Sequence, residues 1–380
     1  MIYLDNAATT FPKPDAVWEA VISCGREKCG NPGRSGHRLA AAAARELFAA
    51  REAVAGFFHI ADSSRLIFTA NATSALNTAL YGLLKEGDHV VTSSLEHNSV
   101  MRPLHALRQR LGIEFTAVSC SPRGELDPAD VQKALRPETR LVVLTHASNV
   151  CGAILPVREA KALLPEIPLL VDAAQTAGVL PIDVQELGID LLAFSGHKGL
   201  FGPMGTGGLY TAPGLQLAPL LQGGTGSRSE RLEQPAFLPD LLEAGTPNLP
   251  GLSGLRAGVE FLAQQGIATI RDHEMRLTRL LLDGLAGHDR IRIHGPADPE
   301  RQTAVISVTL DGRDPGEIAR TLDREFSIAC RASLHCAPLA HQTLGTYPQG
   351  TVRLSMSVFN TEEEIQEAVR ALRAIAEGNL

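Results

Sequence analysis

Through its middle the chain alternates short apolar runs with longer stretches of helical period. Runs at 66–69, 89–92, 114–118, 141–145, 168–171, 191–194 and 208–210 predict strands. Most are apolar without interruption rather than alternating, so they predict a mostly parallel sheet covered on both faces. Stretches at 98–111, 128–135 and 157–163 predict helices between them. An Ala-rich stretch at 39–58 predicts a long helix leading into this unit. The pattern changes after about residue 220. Positions 222–250 are rich in Gly, Pro and Ser and lack a period, which predicts an ordered loop region. Beyond it, helices are predicted at 252–264, 270–285, 315–326 and 362–377, with strands at 304–310 and 351–355. That is an α+β pattern. The expected fold is α/β in two units: a large domain over 15–250, and a smaller α+β domain made of 1–14 and 251–380.

Composition narrows the class. The 380 residues suffice for two cores, and 44% apolar with 20% charged residues describes a soluble globular protein. A formal charge of -7 offers no attraction to nucleic acid or an anionic membrane. Aromatic content is 4%, too little for base-stacking platforms. The start, MIYLDNAATTFPKP, has neither the basic nor the apolar part of a signal peptide, and no apolar run approaches the roughly 18 residues of a membrane span. A cytoplasmic location is the expectation. The six cysteines form no C-x-x-C pair, so neither disulfides nor a metal site are expected of them.

Candidate chemistry gathers in three segments. In LLAFSGHKGLFGPMGTGGLY, Lys198 follows a strand end by a tight turn. A lone lysine is ordinarily a solvated charge, but ligands in open α/β sheets bind at the carboxyl ends of strands. A desolvated amine there is a nucleophile toward an aldehyde. In PLLVDAAQTAG, Asp172 ends an apolar strand and Gln175 follows. Such an Asp is either a helix cap or an active-site group. Set beside Lys198, it suits a pyridinium partner, because a pyridine ring withdraws electrons well only while its nitrogen is protonated. In LIFTANATSALNTAL, a strand runs into small hydroxyl residues at a helix start, which makes either a phosphate site or an ordinary cap. No Walker loop or G-x-G-x-x-G fingerprint occurs.

These segments share the chain with SLEHNSV, HASNVCG, EAGTPN and VRLSMSV. In that order they resemble class V, fold-type I pyridoxal-phosphate enzymes, and among them the cysteine desulfurases. The resemblance runs from YLDNAATT at 3–10 to VRLSMSVFNTEEEI at 352–365. It implies pyridoxal 5'-phosphate held as a Schiff base on Lys198, which later moves protons. It implies that Asp172 pairs with the ring nitrogen, Gln175 with the ring hydroxyl, and that His97 stacks on the ring and assists proton transfer. Ala72, Thr73, Ser195 and His197 would hold the phosphate, and Thr246 would reach the phosphate of a neighbouring subunit, so a homodimer with shared sites is implied. Asn149 and Arg353 would bind the substrate carboxylate, Arg353 through paired hydrogen bonds. Asn6 and Ala7 would line the substrate pocket.

The cofactor segments do not separate sulfur removal from amino transfer or another C–S lyase reaction. CRASLHCAPLAH does: it resembles the R-x-x-x-H-C-A pattern of the second, selenocysteine lyase-like group of desulfurases, on a short loop. Cys336 would attack the sulfur of substrate cysteine, leaving alanine and an enzyme persulfide destined for a protein acceptor. Arg331, also a substrate-binding candidate, and His335 are expected to favour its thiolate as electropositive neighbours. Cys330 is a second candidate thiol, equally explained as a buried strand-end residue. One position departs from the group. GNPGRSGH carries Gly33 where the H-R-G-x-H pattern has its first histidine, while Arg34 and His37 remain. This leaves selenocysteine lyase, or another class V aminotransferase or C–S lyase, as alternatives.

Overall fold

The computed structural model describes residues 1–33, 36–164 and 166–378. A short strand β1 (Ile2–Tyr3) is followed by helices α1 (Asp15–Ser23) and α2 (Arg38–Phe57). Then come β2 (Leu66–Thr69), α3 (Ala72–Leu83), β3 (His89–Ser93), α4 (Asn98–Leu111), β4 (Glu114–Val118), α5 (Pro128–Lys133), β5 (Thr139–Thr145), α6 (Val157–Ala162), β6 (Leu169–Asp172), β7 (Leu191–Ser195) and β8 (Gly207–Thr211). Strands β2 to β8 form one seven-stranded sheet in the order β2-β8-β7-β6-β5-β3-β4. It is parallel from β7 through β4, and β8 runs antiparallel to both neighbours.

Neighbouring strand residues feed opposite faces, as the two-residue pleat requires. Val142, Leu144, Val171, Leu192 and Phe194 enter one core, and Leu141, Val143, Leu170, Leu191 and Ala193 enter the other. Burial on both faces is why these strands read as continuous apolar runs.

Positions 222–248 contain neither helix nor strand. Helix α7 (Leu249–Gln265) starts where Asn248 Oδ1 accepts from the Gly251 N–H at 3.2 Å. Its Leu252, Leu255, Val259 and Leu262 join the first core, and it packs on α1 and α2. The sequence pattern groups it with the C-terminal unit, whereas its apolar face finds its partners in the large one.

The remaining elements are α8 (Ile267–Leu285), β9 (Ile291–His294), β10 (Val305–Leu310), α9 (Pro315–Phe326), β11 (Ile328–Ala329), β12 (Arg331–Ser333), α10 (Pro338–Thr343), β13 (Thr351–Ser355) and α11 (Glu362–Glu377). Strands β12-β13-β10-β9 form an antiparallel sheet with its own core. The N-terminus belongs to this layer: β1 pairs with β11, and Leu4 lies in that core. No helix among the described residues is long and apolar enough to cross a membrane.

Candidate active site

Strands β5, β6 and β7 end side by side, with Thr145 paired to Asp172 and Asp172 to Ala193. Their carboxyl ends open into a cavity of about 300 Å³. Lys198 lines it, three residues past the end of β7. Burial lowers the Lys198 amine to about 8, an effect opposed by the Asp172 carboxylate. Burial likewise raises the Asp172 carboxyl above its ordinary range. Asp172 Oδ1 accepts from the Ala174 N–H at 2.9 Å. Gln175 donates to the Ala7 carbonyl at 3.1 Å, so the N-terminal segment is drawn over the same cavity.

That segment also grips the turn carrying Lys198. The His197 carbonyl accepts from the Thr10 N–H at 3.2 Å, the Thr9 hydroxyl at 3.1 Å and the Lys13 ammonium at 3.0 Å. On the other side, Gly178 and Gly199 meet backbone to backbone. Gly178 has φ +83°, and a Cβ there would run into the Gly199 carbonyl. Gly178→Ala is therefore expected to cost on the order of 1–3 kcal/mol or more and to displace the Lys198 turn. Urea denaturation together with pyridoxal-phosphate uptake checks this.

Helix α3 presents its N-terminus to the cavity. Asn71 Oδ1 caps the Ser74 N–H at 3.0 Å, and Ser195 Oγ accepts from the Ala72 N–H at 3.0 Å. Its acceptance leaves the Ser195 hydroxyl proton free to donate, and the Thr73 N–H has no partner among the described residues. A helix N-terminus with a free N–H and a free hydroxyl proton has the geometry and partial charge that suit an anion. His97 caps α4, its Nδ1 accepting from the Ser99 N–H at 3.0 Å. Burial and nearby cations, Lys198 first, lower the imidazole to about 4, so it is neutral. His197 is also lowered to about 4 by burial, and its Nδ1 is buried without a partner.

Behind His97 lies Glu96, fully enclosed. Its Oε1 accepts from the Ser93 hydroxyl at 2.6 Å and the Thr145 N–H at 2.9 Å. Burial raises its carboxyl to about 8, with Asp172 adding to the rise. The folded chain thus keeps a proton that the unfolded chain releases, and stability falls as pH climbs from the ordinary carboxyl range towards 8. Glu96→Gln keeps the acceptor oxygen and cannot ionise. It should reduce the loss of unfolding free energy between pH 6 and pH 9 by about 2 kcal/mol, read by denaturation at the two pH values.

The small sheet supplies the opposite wall. Arg353 donates to the Asn149 carbonyl at 2.9 Å and to Asp5 Oδ1 at 2.8 Å, while its Nε has no partner. Asn149 donates to the His335 carbonyl at 2.7 Å and leaves its own oxygen buried and unpartnered. Arg331 lines the cavity, and its Nη2 donates to Cys336 Sγ at 3.8 Å. The Cys336 thiol is exposed. Its carbonyl accepts from the Asn98 N–H at 2.8 Å, which ties the loop to the start of α4. His335 and Cys336 both have positive φ, +46° and +59°, a strained conformation for side chains of this kind.

One expectation needs correcting. His335 is not an electropositive neighbour: burial and the adjacent Arg353 hold it down to about 2, and its Nε2 lies 3.1 Å from the Thr351 hydroxyl. Positive charge near the thiol comes from Arg331, whose Nη2 reaches it, and from Arg353, which interacts with it electrostatically. Asn6 lines a smaller cavity that Lys198, Ala7 and Gln175 also line. The Asn6 amide is occupied by the main chain, donating to the Ser355 carbonyl at 3.0 Å and accepting from the Phe11 N–H at 3.2 Å. Ala7 lines the larger cavity as well. Burial raises the Cys330 thiol to about 12, so it stays protonated and poorly reactive. Thr246 and Gly33 stand beside the 222–235 loop, outside this chain's Lys198 cavity. Arg34 lies outside the described residues.

Ser99, Thr145, Lys13 and Glu96 were missed in the sequence. Thr145 ends an apolar strand beside the Asp172 strand, and that was a readable signal; Lys13, between two prolines, offered none.

The chain matches the family described as aminotransferase class-V over residues 2–368. It is 38% identical to a "Probable cysteine desulfurase" of Methanothermobacter thermautotrophicus, covering 99% of this chain and 94% of the relative. A "Cysteine desulfurase" of Yersinia pseudotuberculosis is 32% identical, over 99% of this chain and 93% of its own. The solved cysteine desulfurase of Thermococcus onnurineus, in its apo form, superposes with a TM-score of 0.94 at 33% identity, covering 99% of this chain and 95% of that one. One from Escherichia coli, in an S-sulfonic acid form, gives 0.87 at 30% identity, over 100% and 95%.

Proposed function

The chain belongs to the class V aminotransferase family and, within it, to the cysteine desulfurases, and we propose that it removes sulfur from L-cysteine with pyridoxal 5'-phosphate at Lys198 and Cys336 as the sulfur carrier. One observation carries the assignment of Cys336: the Arg331 that lines the Lys198 cavity also reaches its thiol, at 3.8 Å.

The residues present fit the cofactor. Buried polar atoms without partners, on His197, Asn149 and Arg353, gather around a cavity of ligand-binding size. An amine lowered to about 8 stands beside a carboxylate, and a helix N-terminus with a free N–H lies at one end. Ala72, Thr73, Ser195 and His197 would hold the phosphate, Asp172 the ring nitrogen and Gln175 the ring hydroxyl, with His97 against the ring. When bound, the cofactor supplies an electron sink for carbanion chemistry at the substrate's α-carbon.

The chain's own groups do the rest. Arg353, with Asn149, binds the substrate carboxylate, exchanging its Asp5 partner for it. Lys198 Nζ takes and returns the α-proton. Cys336 Sγ attacks the substrate sulfur: the S–S bond forms, the Cβ–S bond breaks, and the electron pair stays with the substrate carbon, which takes up a proton. Alanine leaves and a persulfide remains on Cys336 for a protein acceptor.

A second copy of the chain is part of this reading. Trp18 and Ile22 on α1 and Phe48 on α2 are exposed on helices whose other faces pack on α7. Thr246 would serve the partner's phosphate site, which is consistent with its place outside its own. All six thiols are free, which suits the cytoplasm. The proposed domains are the large sheet unit and the small unit that includes the N-terminal segment.

The test is incubation of the loaded enzyme with L-cysteine. Equimolar alanine and one added sulfur on the peptide containing Cys336 are expected. Keto-acid formation, or sulfide release with no sulfur on the protein, would instead indicate a transaminase or a lyase. Selenocysteine belongs in the same assay.

A further inference from the structure

Thr73, Ser99 and His97 form a chain of hydrogen bonds from the start of α3 to the imidazole. Ser99 Oγ lies 2.7 Å from Thr73 Oγ1 and 2.8 Å from His97 Nδ1. The Ser99 N–H donates to the same Nδ1 at 3.0 Å. Counting protons sets the directions. Because Nδ1 accepts from a backbone N–H, it is the bare nitrogen of the neutral ring, and Nε2 carries the hydrogen. The Ser99 hydroxyl, with one proton to give, then donates to Nδ1, and Thr73 donates to Ser99.

This order cannot survive once Thr73 gives its proton to a phosphate oxygen. Thr73 Oγ1 is then only an acceptor towards Ser99. The single Ser99 proton turns to Thr73, and an Oγ lone pair turns towards Nδ1. We propose that Ser99 is a positioning residue that couples the phosphate end of the cavity to His97 by reversing the direction of its hydroxyl hydrogen bond. The inference rests on the reading above, in which Thr73 holds phosphate.

The consequence is a change in basicity. While the phosphate end is empty, Nδ1 receives two donors and resists protonation. When it is filled, one donor has become an acceptor facing Nδ1, so the imidazole takes a proton more readily. The charges that face His97 are Lys198, Arg331, Arg102 and Arg353, all of which lower it together with burial. None of them is removed by a change at position 99.

The test is the pH titration of the His97 imidazole by nitrogen-15 NMR. Wild type, Ser99→Ala and Ser99→Thr would each be measured cofactor-free, with inorganic phosphate, and loaded with pyridoxal phosphate. In the cofactor-free chain, Ser99→Ala is expected to raise the proton affinity of His97 about two- to tenfold, through loss of a donor, while Ser99→Thr behaves as wild type. Filling the site should then raise the affinity further in wild type than in Ser99→Ala, by a similar factor. Equal affinities in the cofactor-free forms, or an equal rise on filling, would overturn the proposal. Visible absorption reports cofactor uptake separately. If pyridoxal phosphate does not bind, the cofactor reading fails. If neither probe moves His97 more in wild type than in Ser99→Ala, the coupling fails.

Discussion

Cys336→Ala is expected to lower alanine formation from L-cysteine by roughly 10³-fold or more while pyridoxal phosphate stays bound. Alanine has no atom that can take the sulfur, so the Cβ–S bond loses its acceptor. The fold should hardly notice. The thiol is exposed, and the loop is fixed by backbone bonds, including the one from the Asn98 N–H to the Cys336 carbonyl at 2.8 Å. Alanine meets the same positive φ that cysteine does, so stability should change by no more than about 0.5 kcal/mol. Alanine release and protein mass after exposure to cysteine check the prediction. Full turnover by the variant would remove Cys336 from the reaction. Selenocysteine turnover should suffer less, because selenium departs more easily without help. Cys330→Ala should change little, since the Cys330 thiol is raised to about 12 and stays protonated.

Much of this was legible because several signals agreed. Strand β5, LVVLT at its end, is apolar on both faces, and the structure buries it between two cores. Helices α4, α9 and α11 begin and end where their period and their terminal residues indicate, α4 with Gly112 at φ +63° and α11 with a capping box of Thr361 and Glu364. Strands β1, β11 and β12 were not legible, since two or three residues carry no period and form only through partners far away in sequence. Helix α7 was visible as a helix, but its partners α1 and α2 were not. The site divides in the same way. Lys198, Asp172 and Ser195 are read from strand ends, whereas Lys13 and Glu96 matter through contacts that only the fold creates. The charge of His335 was misread for a related reason: a histidine beside an arginine looks cationic in a sequence, and burial decides otherwise.

Lys198→Ala should have the largest effect of all, a loss of roughly 10⁴-fold or more in turnover together with loss of covalently held cofactor. An ordinary lysine near 10.5 would have only about one amine in three hundred free at pH 8. Burial brings Lys198 to about 8, so close to half are free there. Asp172 pulls the other way, which keeps the ammonium available as a proton donor at slightly lower pH. A group poised in this range both gives and takes a proton, as removal and return of the α-proton require. Lys198→Arg should not rescue, because guanidinium holds its proton at any working pH. Visible absorption and borohydride trapping would show covalent attachment in wild type and none in either variant. In wild type, the rate of covalent uptake should rise with pH through about 8, because it is the free amine that attacks the aldehyde. A rate independent of pH between 6 and 9 would mean that the surroundings of Lys198 do not tune it. Persistent turnover in Lys198→Ala would mean that another group moves the α-proton. Among the described residues that line the cavity, His97 and His197 are the candidate bases, but at about 4 both are much weaker, and His97 is held as the cap of α4.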